Sequence, residues 1–238
     1  VYGVLTSGEV VPFAHLPPNV AVLPIRPKGD RYEIVTREAA QRLGYRGLAA
    51  WLGEAERIWE KSRGAKKERM SLYERLDYER GLTTQSPKAK YRVVYTTSAT
   101  YLTAAVARNA PMEVEAPGGK VVLNGILIDQ TLLKYDTDDE GEAYYLAAVL
   151  NSRLLDELVK PLQSRGAYGP RHFSKKPLEF PIPKYDPGNP LHRRLAELGR
   201  RASEVASAAL PGKLKELGLE RRLDEQGCLT PNQVGRLR

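Results

Sequence analysis

The stretch Ala143-Tyr-Tyr-Leu-Ala-Ala-Val-Leu-Asn-Ser-Arg-Leu-Leu-Asp-Glu-Leu158 decides how this chain is read. Ala143, Leu146, Ala147, Leu150, Leu154, Leu155 and Leu158 recur at threes and fours, the spacing of one helical face, until Pro161 stops the pattern. This predicts a rigid helix over 143–160 with Leu146, Leu150, Leu154 and Leu158 in the core. Upstream, Tyr91-Arg-Val-Val-Tyr-Thr-Thr97 is rich in β-branched and aromatic residues and reads as a strand, followed by a small-residue segment, 98–107. Val121-Val-Leu123 and Ile126-Leu-Ile128 flank Asn124-Gly125, a type I′ hairpin signal, because both central residues of that turn need positive φ. The acidic run 136–142 reads as an exposed loop before the helix. Downstream, Pro177-Leu-Glu-Phe-Pro-Ile-Pro183 alternates like an edge strand, where proline costs no ladder bond. Asn189-Pro190 then caps a final helix with apolar residues at 191, 195, 198, 202, 205, 206 and 209.

Toward the N-terminus, Val20–Ile25 and Tyr32–Val35 are short β-rich runs bounded by Pro17-Pro18 and Pro27-Lys-Gly-Asp30. Thr36 is placed to cap a helix, with Glu38 in its first turn. Apolar residues at 48, 51, 52, 55, 58 and 59 form another helical stripe, which puts Trp51 and Trp59 in a core. Gly64 ends that pattern, and the tail 212–238 is polar. Strands and helices mix without regular alternation, so the expected class is α+β, a mixed or antiparallel sheet with packed helices and a long C-terminal helix. The expected organisation is one domain over 1–188 and a helical extension over 189–238.

The 238 residues are 42% hydrophobic and 28% charged, ordinary for a folded chain. No apolar run is long enough to span a membrane, and no signal peptide opens the sequence, so no membrane partner and a cytoplasmic location are expected. A single cysteine, Cys228, excludes an internal disulfide framework, and with only His15, His172 and His192 a zinc site is not expected. The chain begins at Val1 with no initiator methionine, as either trimming or excision from a longer protein would leave it. Lys and Arg total 37 against 29 Asp and Glu, a formal charge of +8. The cations cluster: Lys61, Arg63, Lys66, Lys67 and Arg69 face only Glu68, while Lys160, Arg165, Arg171, Lys175, Lys176 and Lys184 face only Glu179. Such a balance favours a polyanionic partner.

No catalytic constellation is found. Gly166-Ala-Tyr-Gly169 has the wrong spacing for a phosphate loop and opens no helix. There is no nucleophile elbow, and Cys228 is far from any histidine. The 136–142 acids are adjacent rather than convergent, unlike a metal site. Asn109-Ala-Pro-Met112 lacks the second proline and the aromatic ring of an amino-methyltransferase loop. No catalytic residue, cofactor or metal is therefore expected in this chain.

What remains is the segment Gln163-Ser-Arg-Gly-Ala-Tyr-Gly-Pro-Arg-His-Phe-Ser-Lys-Lys176, read as a basic glycine loop. Arginine can pair bidentately with guanine in the major groove, lysine and hydroxyl groups suit phosphates, and glycine lets backbone approach a ligand. Arg165, Gly166, Tyr168, Arg171, His172, Ser174, Lys175 and Lys176 are accordingly the candidate DNA-binding residues. Arg92 and Tyr95, with Thr96, are added as residues near the same face.

Glu142-Ala-Tyr-Tyr-Leu-Ala-Ala-Val-Leu-Asn-Ser152, the 165–173 loop and Pro181-Ile-Pro183 resemble the C-terminal target-recognition domain of TaqI-like adenine-specific DNA methyltransferases, related to type I restriction specificity subunits. Leu76-Asp-Tyr, Leu82-Thr-Thr-Gln85 and Tyr91-Arg-Val-Val-Tyr95 are similar to the same family, so the resemblance covers about residues 70–200. It implies a non-catalytic specificity domain of a restriction-modification or adenine-N6 methylating enzyme that binds double-stranded DNA. S-adenosylmethionine would then belong to a methyltransferase catalytic domain, fused or in trans, which acts on a flipped base. Two other readings stay open: a nucleic-acid-binding module unrelated to modification, and a helical protein-interaction scaffold.

Overall fold

The computed structural model describes residues 1–64, 69–116, 119–166, 169–220, 233 and 236. Four short strands open the chain: β1 (Tyr2–Leu5), β2 (Val10–Val11), β3 (Ala14–His15) and β4 (Asn19–Ala21). The hairpin of β5 (Ile25–Lys28) and β6 (Arg31–Ile34) leads into helices α1 (Arg37–Arg42), α2 (Arg46–Ser62) and α3 (Leu72–Leu76). Strands β7 (Tyr91–Thr96), β8 (Ala104–Arg108), β9 (Met112–Ala116), β10 (Gly119–Leu123), β11 (Ile126–Ile128) and β12 (Leu132–Thr137) follow. The chain continues through α4 (Glu140–Leu150), α5 (Arg153–Val159), β13 (Ser164–Gly166), β14 (Gly169–His172), α6 (Lys176–Glu179) and α7 (Pro190–Glu216). The class is α+β, as expected. Residues 22–88 form one compact unit, and 1–21 with 89–238 form the other. The expected division at 188/189 therefore falls inside the larger unit.

That unit is organised around the antiparallel sheet β12-β7-β8. Along β7, Val93 and Tyr95 face α4 and α5, packing with Leu146, Leu150, Leu155, Val159 and Phe173. Val94 lies on the other face, with Ala105, Ala107 and Leu132 against Leu5, Val10 and Ile126. A strand covered on both faces explains the unbroken apolar run in its sequence. Arg92 is fully buried beside Asp136, its ladder partner on β12, at 3.1 Å. The acidic run is thus not a loop: Asp136 lies in β12, and Asp139 caps α4 by accepting the Glu142 N–H at 3.0 Å.

Four further expectations are corrected. Val121–Leu123 and Ile126–Ile128 do not form a hairpin, because β10 pairs with β9 while β11 runs parallel to β1 in a second sheet, β11-β1-β4. Asn124-Gly125 carries the chain between the two sheets. Gly125 is needed there for space, since an added Cβ would lie 2.6 Å from Asn109 Oδ1, which accepts the Ile126 N–H at 2.9 Å.

The helix over 143–160 is broken at Asn151. Its Oδ1 accepts the Ala104 N–H at 3.0 Å, and its Nδ2 donates to the carbonyls of Ala104 and Ala147, each at 2.9 Å. Ser152 then caps α5 through the Leu155 N–H at 3.2 Å. The interruption shifts the helical phase, so Leu155 is 5% exposed while Leu154 is 68% exposed and Leu158 also faces solvent.

The apolar row of α7 is likewise turned partly out, with Leu195, Ala202 and Ala206 half-buried. His192, Ala196, Gly199 and Leu214 are buried, whereas Leu191 is 63% exposed and Leu198 and Val205 are exposed too. Gly199 explains this phase: an added Cβ would sit 2.2 Å from the Tyr144 carbonyl of α4, a helix–helix approach only a small face permits. Farther along, Leu214 and Leu219 pack with Val11, Ala14 and Leu16. His192 packs its ring against Tyr145 with centroids 4.9 Å apart, and its Nδ1 accepts the Asp186 N–H at 3.0 Å.

In the smaller unit Thr36 caps α1 by accepting the Ala39 N–H at 3.2 Å, as its position predicts. Val35, Ala40, Ala49 and Leu52 form the core. The tryptophans are not part of it: Trp51 is 49% exposed, and Trp59 is half-buried with Nε1 donating to Met70 O at 2.8 Å. No helix among the described residues is long and apolar enough to cross a membrane.

Two substitutions test this packing. Asn151→Ala strands the buried Ala104 N–H and is expected to cost about 2–3 kcal/mol in urea unfolding. Gly199→Ala forces α7 away from α4 and is expected to cost about 1–3 kcal/mol, with a matching fall in melting temperature.

Candidate nucleic-acid interface

The segment expected to be a loop is a β-ribbon. Strands β13 and β14 pair antiparallel, with Ser164 opposite His172, Arg165 opposite Pro170 and Gly166 opposite Gly169. The register shifts between Ser164 and Arg165, which makes Arg171 the extra residue of a bulge. Ala167 and Tyr168 lie outside the described residues, as do the side chains of Ser164–Gly166 and Gly169–Arg171.

Both roots of the ribbon are buried. On one side α5 runs through a 3-10 turn, Lys160–Leu162, into Gln163, which is buried. On the other, Phe173 is fully buried in the cluster that contains Tyr95 and Leu150. The N–H groups of Phe173 and Ser174 donate to Thr97 O at 2.8 and 3.2 Å, and His172 bridges to Ser98. The Tyr95 hydroxyl donates to Ser174 O at 3.1 Å, and burial, with the Glu179 charge adding to it, raises that phenol above its ordinary range. Ser174 itself has φ 48°, a left-handed conformation held by these three bonds.

These facts divide the expected site residues. His172, Ser174, Lys175 and Lys176 are exposed at the ribbon's C-terminal root. Lys176 is paired with Glu179 at 2.8 Å, while Lys175 has no carboxylate partner among the described residues. Arg165, Gly166 and Arg171 belong to the ribbon by backbone position. Arg92, Tyr95 and Thr96 are corrected: all three are buried inside the sheet, Arg92 paired with Asp136 and Tyr95 supporting the root, so none can reach a ligand at the surface. The expected strand over 177–183 is also replaced. Pro177 lies in the first turn of α6, and the extended stretch after it is fixed by the Tyr145 hydroxyl, which donates to Pro183 O at 2.9 Å.

Sequence reading missed the neighbour of the ribbon's first root. The Lys160 ammonium stands 4.6 Å from the centre of the exposed Tyr101 ring and pairs with Asp156 at 2.7 Å. Asp156 also accepts the buried Leu102 N–H at 2.8 Å, so it ties the 97–103 connection to α5. Tyr101, Thr103, Arg153 and Lys160 border a shallow cleft of about 430 Å³. Tyr101 follows a strand with no periodicity or motif around it, and nothing local marks it. Among the described residues no group of three or more His, Cys, Asp or Glu is placed to hold a metal ion.

The roots generate a prediction. Phe173→Ala removes the buried plug and is expected to cost about 3–5 kcal/mol, with limited proteolysis moving to the 164–172 segment. A scan of the chain against models of known protein families and a search of curated proteins each return no match.

Proposed function

We propose that this chain is a non-catalytic specificity module that binds double-stranded DNA and reads it with the ribbon β13–β14. The observation that carries the reading is a two-stranded ribbon of cationic sequence fixed to the core at both ends. The major groove of B-DNA admits a ribbon of this kind. An arginine side chain can fork onto guanine O6 and N7, the role proposed for Arg165 and Arg171, while Tyr168, His172, Ser174 and Lys175 are of types that suit phosphates and base edges. Lys176 is a secondary contact, since Glu179 competes for it. A formal charge of +8 favours encounter with a polyanion at moderate salt.

The resemblance to adenine-specific DNA methyltransferases supports the same reading. Under it, S-adenosylmethionine and the methyl-transfer chemistry belong to a catalytic domain outside this chain, fused or in trans. Flipping the target adenine requires the duplex to be held while one nucleotide leaves the stack, and the ribbon would supply part of that grip.

Duplex binding measured by fluorescence anisotropy across a salt series tests the proposal. Affinity is expected to fall with a log–log slope of about −0.9 per phosphate contacted. Arg165→Ala or Arg171→Ala is expected to cost about 1–3 kcal/mol and to relax preference at one base pair. Lys175→Ala should instead weaken all duplexes alike and flatten the slope by about 0.9. Salt-insensitive binding, or unchanged affinity in both arginine variants, overturns the assignment.

A further inference from the structure

In the 22–88 unit, α3 ends in a turn that holds Glu79 at φ 53° and Arg80 at φ 57°, two successive non-glycine residues in the left-handed region. That conformation crowds Cβ against backbone, and it persists only where the surroundings over-determine it. Here they do. Asp77 accepts the N–H groups of Leu82 and Thr83 at 3.0 and 2.8 Å and the Thr83 hydroxyl at 2.6 Å. The Arg80 N–H donates to Asp77 O at 2.8 Å, and the Thr84 hydroxyl donates to Arg80 O at 2.7 Å. Beneath them Gln85 is fully buried, with Nε2 donating to Gly81 O at 2.9 Å.

All of these bonds run through backbone or through residues on either side of the strained pair. Glycine or asparagine would meet the backbone geometry at lower cost, yet the sequence places Glu and Arg there, next to Tyr78. All three side chains are exposed, Tyr78 at 47%. The other left-handed residues differ: the Phe13 N–H bonds to Ala104 O, and Ser174 is stitched to β7. Arg26 and Lys28 pair with Glu33, Arg37 with Glu56, Arg57 with Glu54 and Lys88 with Asp30, whereas Arg31, Arg42, Arg46 and Arg75 have no carboxylate partner among the described residues but do not sit on a strained turn. Arg80 likewise has none among the described residues, and it alone of these arginines combines that with a left-handed backbone.

We propose that the rigid turn Tyr78-Glu79-Arg80 is a second DNA contact, displaying the Arg80 guanidinium to a backbone phosphate. Strain retained under an exposed, unpaired cation is what a preorganised anion contact requires, because the side chain's base is already ordered before the ligand arrives. The ligand's identity rests on the duplex-binding reading above; the placement of the contact does not depend on the ribbon.

The test uses the full chain and a 25-base-pair duplex of mixed sequence (roughly one site length with flanks). Arg80→Asn and Glu79→Asn both tolerate the left-handed region, so both are expected to melt at or above the parent's temperature. Arg80→Asn is expected to weaken binding roughly five- to tenfold near 0.1 M salt and to flatten the salt slope by about 0.9. Glu79→Asn should bind as well as the parent or better. If Arg80→Asn binds like the parent while Arg165→Ala or Arg171→Ala is weakened, the turn is not a contact and the ribbon reading stands. If Arg80→Asn is weakened and both ribbon variants are not, the turn is a contact and the ribbon reading falls. A parent chain that does not bind the duplex overturns both.

Discussion

Strand β8 lies at the edge of its sheet, and its outward backbone groups need partners that no further strand supplies. The side-chain amide of Asn151 provides them at Ala104, donating and accepting as a peptide of a neighbouring strand would. The carboxylate of Asp156 accepts the N–H of Leu102, two residues before the strand begins. A helical hairpin thereby closes a sheet edge. The break between α4 and α5 is the geometric consequence, because a side chain reserved for the sheet cannot sit in an uninterrupted helix of the original phase. From that break follow which face of α5 is buried, where the chain leaves α5, and hence where the ribbon begins.

The ribbon is built on a contrast between its ends and its span. Gln163 and Phe173 are buried, and Thr97 and Tyr95 hold the second root through backbone atoms. Tyr95, which composition alone would place among surface contacts, contributes from inside. Arg92 likewise shows that a cation in a basic protein can be a structural element: its partner Asp136 lies directly across the ladder, where a buried guanidinium must be matched to be tolerated. Charge in this chain has to be sorted by burial before it is sorted by sign.

Much of the fold was legible because it is local. Thr36, Asn189 and the run Tyr91–Thr97 carry their roles within a few residues, and the structure has the caps and the strand there. Two of the errors share one cause, a bond to a distant residue. Leu154 and Leu158 fit a helical stripe until Asn151 reaches Ala104, 47 residues away. Asn124-Gly125 has hairpin chemistry, yet β1 and β9 claim the strands on either side. The basic segment was legible by composition and not by pairing, since its glycines and proline erase the alternation a strand would show. Leu76-Asp-Tyr and Leu82-Thr-Thr-Gln85 belong to one turn, in which the carboxylate of Asp77 gathers three donors.

The seat of α7 sets a counted length in the chain. The cap at Asn189 fixes where the helix starts, and ten residues later Gly199 must meet the Tyr144 carbonyl. Each residue added or removed between them turns the rest of the helix by about 100°, presenting a bulky side chain where only hydrogen fits. Letters between 189 and 199 can be rewritten on the outer side, but their number cannot change without unseating everything that follows.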